Sequence, residues 1–131
     1  MWDFHRAGVD PARARTVVAA ARVADRLEEA VRLPRADGLR RLMAVPGVGQ
    51  WTAAHAAQRA WGDPDAVPIG DFHLPALVGQ ALAGRAVDDV GMLDLLEPCR
   101  GQRWRTVRHL LALTPPHRPR RSPRIAADYR R

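Results

Sequence analysis

Apolar positions along the chain recur at three- and four-residue spacing, and strict alternation never lasts. That periodicity predicts helices and no sheet, an all-α fold. The first stripe is Val17, Ala20, Ala21, Ala24, Leu27 and Val31, carried by one helix over 10–32 with an apolar face to bury. Asp10 suits its cap and Pro11 its first position, and Leu33-Pro34 ends it. A short helix is predicted over 36–44 and a third over 50–61. The stretch "GDPDAVPIG", 62–70, holds two glycines, two prolines and two aspartates in nine residues, the composition of a loop. Further helices are predicted over 71–83, 88–96 and 102–113, the last two parted by Pro98 and Gly101.

At 131 residues the chain is one domain at most. The helical pattern covers 1–114. From Pro115 onward the sequence is "PPHRPRRSPRIAADYRR", where no apolar stripe survives, and residues 115–131 predict a mobile basic tail. The first predicted helix has no preceding element to pair with, so the domain is expected to lack an N-terminal part.

Charge changes the picture. The formal net charge is +7, and all 21 basic side chains are arginine, with no lysine. Arginine's planar fork suits phosphate, and so basic a chain favours a polyanionic partner such as nucleic acid. A genomic bias toward arginine would account for the missing lysines without any partner. The single cysteine, Cys99, rules out a disulfide within the chain and a four-cysteine metal site; this suits a reducing cytoplasm. No run approaches a membrane span, and the opening residues lack the design of a signal peptide.

Between the second and third predicted helices stands "LMAVPGVGQWTA". Glycines at 47 and 49 permit positive φ and close approach by another backbone. The N–H groups at the start of the next helix then face outward, where the helix dipole favours an anion. Such a turn can grip a strand's phosphate through Pro46, Gly47, Val48, Gly49, Gln50 and Thr52 without reading bases. It can equally be a plain helix–helix turn whose glycines only allow packing.

The stretch resembles the helix-hairpin-helix motif: an apolar residue, Pro-Gly-apolar-Gly, a polar residue and a helix. Downstream, "GDPDAVPIGD" resembles the loop and aspartate of the helix-hairpin-helix DNA glycosylase superfamily, with Asp71 twenty positions after Trp51. The tryptophan in "GQWTA" is similar to that of the 3-methyladenine DNA glycosylase II branch. The resemblance runs from about residue 5 to 113. It implies a glycosylase-type helical domain present only in its C-terminal portion, and base-excision repair of double-stranded DNA containing alkylated bases by a monomer in the cytoplasm, near the nucleoid.

The resemblance makes Asp71 the catalytic carboxylate. Placed under the sugar, it would stabilise the cationic transition state or orient water. Alone, Asp71 would read as a helix cap. Trp51 and His55, one turn apart, would form the base pocket, with aromatic faces for a flipped cationic base; Trp51 can also be a core residue bracing the hairpin. Without a lysine amine for a Schiff base, the activity expected is monofunctional: hydrolysis of the N-glycosidic bond of alkylated purines such as 3-methyladenine, leaving an abasic site. The alternative is a non-catalytic DNA-binding module or an inactive remnant. No catalytic metal and no cofactor are expected. The resemblance allows a monovalent cation on hairpin carbonyls such as those of Val45 and Val48. Trp61 and Trp104 read as core or interface, and Arg100 and Arg103, near the start of the last helix, as a solvated face or as phosphate contacts.

Overall fold

The computed structural model describes residues 2–113; the basic tail expected over 115–131 lies outside them. Among the described residues the fold is all-α, with no strand. The helices are α1 (Trp2–Arg6), α2 (Pro11–Arg22), α3 (Ala24–Glu29), α4 (Arg35–Met43), α5 (Gln50–Ala60), α6 (Leu74–Ala83), α7 (Asp89–Leu96) and α8 (Arg103–Leu113). Short 3₁₀ turns follow α3 (Ala30–Arg32) and α7 (Glu97–Cys99). No described helix is long and apolar enough to cross a membrane.

Two boundaries depart from the periodicity. The helix expected over 10–32 is broken at Val23, whose φ of −121° and ψ of 24° leave the α region. Asp10 caps α2 as expected, accepting from the N–H groups of Ala12 and Arg13. The apolar stripe that prompted the single-helix reading is mostly open. Ala14 is the buried residue of α2, while Val17 and Val31 are 52% and 54% exposed. Repetition of apolar residues set the expectation, but the face opens onto a cleft whose far wall is Leu42, Ala56, Ala60 and Trp61 and is not packed shut. The helix expected from Asp71 begins instead at Leu74. Asp71 Oδ1 accepts from the N–H groups of His73 and Leu74 at 2.9 and 3.0 Å, so the aspartate stands ahead of the helix and holds its first turn. The five-residue α1 carries no apolar periodicity that would have announced it.

The core lies after the hairpin. Val67, Leu74, Val78, Met92, Leu96 and Val107 are buried together, with Trp104 and Leu110 packed against them. A smaller cluster of Ala54, Ala57 and Ala66 joins α5 to the loop, covered by Leu39 and Trp61. Gly38 lets α4 come close to the 3₁₀ turn after α3 and to Trp61: a Cβ there would lie 2.9 Å from the Ala30 carbonyl oxygen and 3.0 Å from the Trp61 ring.

Candidate active site

The turn between α4 and α5 is closed by a hydrogen bond from Val48 N–H to the Val45 carbonyl, 3.0 Å. Gly47 has a φ of +88°, conformational space that a side chain rarely enters. A Cβ at this position would also lie 2.0 Å from Thr16 Oγ1 on α2. Gly49 differs. Its backbone is extended, and a Cβ there would meet nothing within 4 Å. Its bareness therefore serves no internal packing and leaves the start of α5 open from outside. Ala53 N–H is the first of the helix to find an intrahelical acceptor, the Gly49 carbonyl at 2.9 Å. The preceding N–H groups, of Gly49, Gln50, Trp51 and Thr52, have no acceptor among the described residues, as is usual of a helix start without a capping side chain. Pro46, Gly47, Gly49, Gln50 and Thr52 are exposed and Val48 is half-buried.

Asp71 stands at this end of α5. Trp51, the helix's second residue, donates its indole Nε1–H to Asp71 Oδ2 at 2.9 Å. Trp51 is 46% exposed, so its ring is not the core brace that one reading allowed. The loop before Asp71 is rigid for identifiable reasons. Ala66, Val67 and Pro68 are buried in its floor. Gly70, at a φ of +82°, donates its N–H to the Asp89 carboxylate at 3.2 and 3.3 Å. Partial burial pushes the Asp71 carboxyl up, but the Trp51 indole, the N–H groups of His73 and Leu74 and the charge of His73 outweigh it and hold it below the ordinary carboxylate value. Asp71 is thus a poor base and a stable anion. Such a group is better suited to facing developing positive charge than to taking a proton.

His55 follows one turn after Trp51, as its spacing required, with ring centroids 4.3 Å apart in an edge-on contact. Trp104 approaches the other side at 6.3 Å, so this core-packed tryptophan also borders the aromatic group. The network around His55 assigns its tautomer. Gln58 Nε2 donates to the Ala66 carbonyl at 2.7 Å, which turns Gln58 Oε1 toward His55 Nδ1 at 3.0 Å. An amide oxygen only accepts, so Nδ1 carries the hydrogen. The Arg59 guanidinium, 3.2 Å from Nδ1, has no acceptor there and donates instead to the His55 carbonyl at 3.4 Å. Gln58 was missed by sequence reasoning; its spacing from His55 is helical, but its bond to residue 66 requires the fold.

Arg103 corrects the sequence reading. It is neither a free cation for phosphate nor part of a solvated face. Its Nε and Nη2 hold Asp65 Oδ1 and Oδ2 at 2.7 and 2.5 Å, a two-pronged ion pair. Asp65 is 4% exposed. It also accepts from the N–H groups of Gly101 and Arg103, both at 2.9 Å, and so caps α8. Arg35 bridges Asp63 at 2.5 Å and Asp65 at 2.8 Å. Burial raises the Asp65 carboxyl, yet the bonds from Arg103 and Arg35 win and hold it far below the ordinary range. Four side chains thus tie α4, the loop and α8 together. Arg100, the other candidate for phosphate, pairs with Glu97 at 2.5 Å and remains exposed. His73 meets Phe72 edge-on at 4.8 Å; Phe72 itself is 90% exposed.

Over 70 residues, half of this chain, the sequence is 46% identical to the probable bifunctional transcriptional activator/DNA repair enzyme AlkA of Mycobacterium tuberculosis strain CDC 1551 / Oshkosh; the same figures hold for that of strain ATCC 25618 / H37Rv. The match covers 14% of each of these relatives, so the chain spans far less than their whole length. No family model and no solved structure matches the chain. The resemblance to the 3-methyladenine DNA glycosylase II branch is borne out by this kinship: over half its length the chain is a homologue of AlkA.

Proposed function

We propose that this chain is the catalytic segment of a monofunctional DNA glycosylase that releases alkylated purines from double-stranded DNA. The observation that carries the reading is the bond between Trp51 Nε1 and Asp71 Oδ2, which joins the carboxylate to the first turn of the hairpin's second helix. The outward N–H groups from Gly49 to Thr52 suit one strand's phosphate. A flipped base would stack on the exposed Trp51 ring, with the His55 ring beside it. Asp71, ionised and short of basicity, stabilises the positive charge that builds on the deoxyribose as the N-glycosidic bond breaks. The bonding electrons leave with the base, water adds to the sugar carbon and gives up a proton to solvent, and an abasic site remains. A base that is already cationic needs little protonation to leave. With no lysine in the chain, no lysine side-chain amine is available to form a Schiff base and cut the strand. The turn from Ala44 to Gly49 carries no carboxylate, so a cation held there would meet neutral carbonyl oxygens, which suits a monovalent ion. The molecule would work as a monomer in the cytoplasm, where DNA is accessible.

Release of 3-methyladenine and 7-methylguanine from methylated duplex DNA tests this. The parent should release base, and Asp71→Asn should lower the rate about a hundredfold or more. Asn still accepts from the N–H groups of His73 and Leu74, so the thermal midpoint should hold within a few degrees, about the effect of a neutral cap exchange. If the parent releases nothing, the enzymatic reading fails. Salt-sensitive DNA binding that persisted in that case would favour a non-catalytic module, in which Asp71 only caps α6.

A further inference from the structure

We propose that α2 carries a second phosphate-binding surface beside the hairpin, formed by Arg15 and Arg22. The inference rests on the DNA-binding part of the reading above and is independent of catalysis.

A shallow groove of about 830 Å³ runs between α2 and the turn. Arg15 and Arg22 border it, Thr16 and Ala19 are among its small lining residues, and Pro46 and Gly47 close it on the hairpin side. Three observations give it a role. First, the two arginines are seven residues apart, which puts them on one face of α2, about 10 Å apart along the axis. Over that length one strand of B-DNA presents about three phosphates. Second, both are exposed and neither forms an ion pair with a described residue. Arg13, on the same helix, is neutralised by Asp10. The charge left unpaired is therefore the charge that borders the groove. Third, the groove opens at the turn whose following N–H groups also lack acceptors. The tight approach of Thr16 to Gly47 holds α2 in register with that turn. Small residues between two guanidinium groups leave room for a backbone to lie along the groove, while the groove floor offers little to read base edges.

The test is the salt dependence of binding to an undamaged labelled duplex, measured by fluorescence anisotropy on the full chain. Arg15→Gln and Arg22→Gln are made together, and Arg85→Gln, in the loop after α6, is the comparison. Both arginines are on the surface, so the double variant should melt with the parent. We expect its slope of log affinity against log salt to fall by about 1.8 and its affinity to drop about tenfold at moderate salt, while Arg85→Gln changes neither. A double variant whose slope matches that of the parent overturns the α2 surface and leaves the hairpin reading standing. A parent that binds no duplex at all overturns both.

Discussion

The helices before the hairpin and those after it bury their apolar residues to very different extents. After it, Val78, Met92, Leu96 and Val107 are fully covered by one another's helices. Before it, α2 buries Ala14, the 3₁₀ turn buries Ala30, and Val17 and Val31 stay half in solvent. Under the proposed function the difference would coincide with a difference of task. Asp71 would have to be held in place, and it hangs from a loop whose floor is that packed cluster and whose Gly70 is pinned by Asp89. The proposed α2 surface would act through long, exposed side chains at a distance, and charge attraction tolerates looser support. Precision and attraction would thus be housed in different parts of a small molecule.

The largest expected effect tests this contrast directly. Met92→Ala empties a fully buried site and should cost about 3 kcal/mol, read as a shift of the urea midpoint at constant slope. Val31→Ala, on the open face, should stay within about 0.5 kcal/mol. Native-state hydrogen exchange should agree, with amides of α6 to α8 opening only with global unfolding and those of α2 and α3 opening earlier. Equal costs at positions 92 and 31 would mean that the face of α2 and α3 is covered in solution, and the contrast would be void.

Next in size is Asp65. Asp65→Ala leaves Arg103, largely buried, without its partner and α8 without its cap, and should cost about 3 kcal/mol or somewhat less because Arg35 is partly in water. The same carboxylate sets the acid limit. Its native value lies below the ordinary 3.8, so its contribution is complete above that pH. As pH falls below 3.8, the unfolded chain takes up a proton that the native carboxylate refuses, and stability declines toward the native value. Acid titration followed by circular dichroism should therefore show the parent losing stability below about pH 4, and the Asp65→Ala variant losing less over the same interval. Identical acid profiles would show that the ion pairs contribute nothing to the fixed half.

The residues differ in how far their neighbours along the chain announce them. The hairpin was legible because Pro46-Gly47-Val48-Gly49 encodes a local geometry, and one of its glycines does take the positive φ. Asp71 was singled out by the family resemblance, since alone it would have been read as a helix cap. Its coupling to the indole follows from the return of the loop onto α5, which only the fold displays. Periodicity identified α4 to α8 within a few residues, since each presents a stripe to a partner. It misled at 10–32, where the stripe borders an open cleft and Val23 interrupts the helix. The ion pairs of Asp65 were illegible for another reason. Arg35, Asp65 and Arg103 lie 30 and 38 positions apart, and a basic run around residue 103 looks the same whether its arginines meet water or a buried carboxylate.

The smallest expected effect concerns the seam between the two regions. Gln58 reaches from the hairpin helix to the Ala66 carbonyl and fixes His55 from behind. Gln58→Met keeps the length of the side chain and removes both hydrogen bonds, so the stability cost should be about 1 kcal/mol. The informative readout is the ring itself. In the parent, at a pH high enough to keep imidazoles neutral, nitrogen chemical shifts of His55 should report a hydrogen on Nδ1 and a bare Nε2. In the variant the ring is released, and the population should move toward the Nε2–H form that free imidazole side chains favour in water. A merely structural Gln58 would shift the melting curve and leave the tautomer ratio where it was. If the ratio holds, something other than the packed half governs the histidine beside Trp51, and the division of labour between the two regions would stop short of the aromatic group.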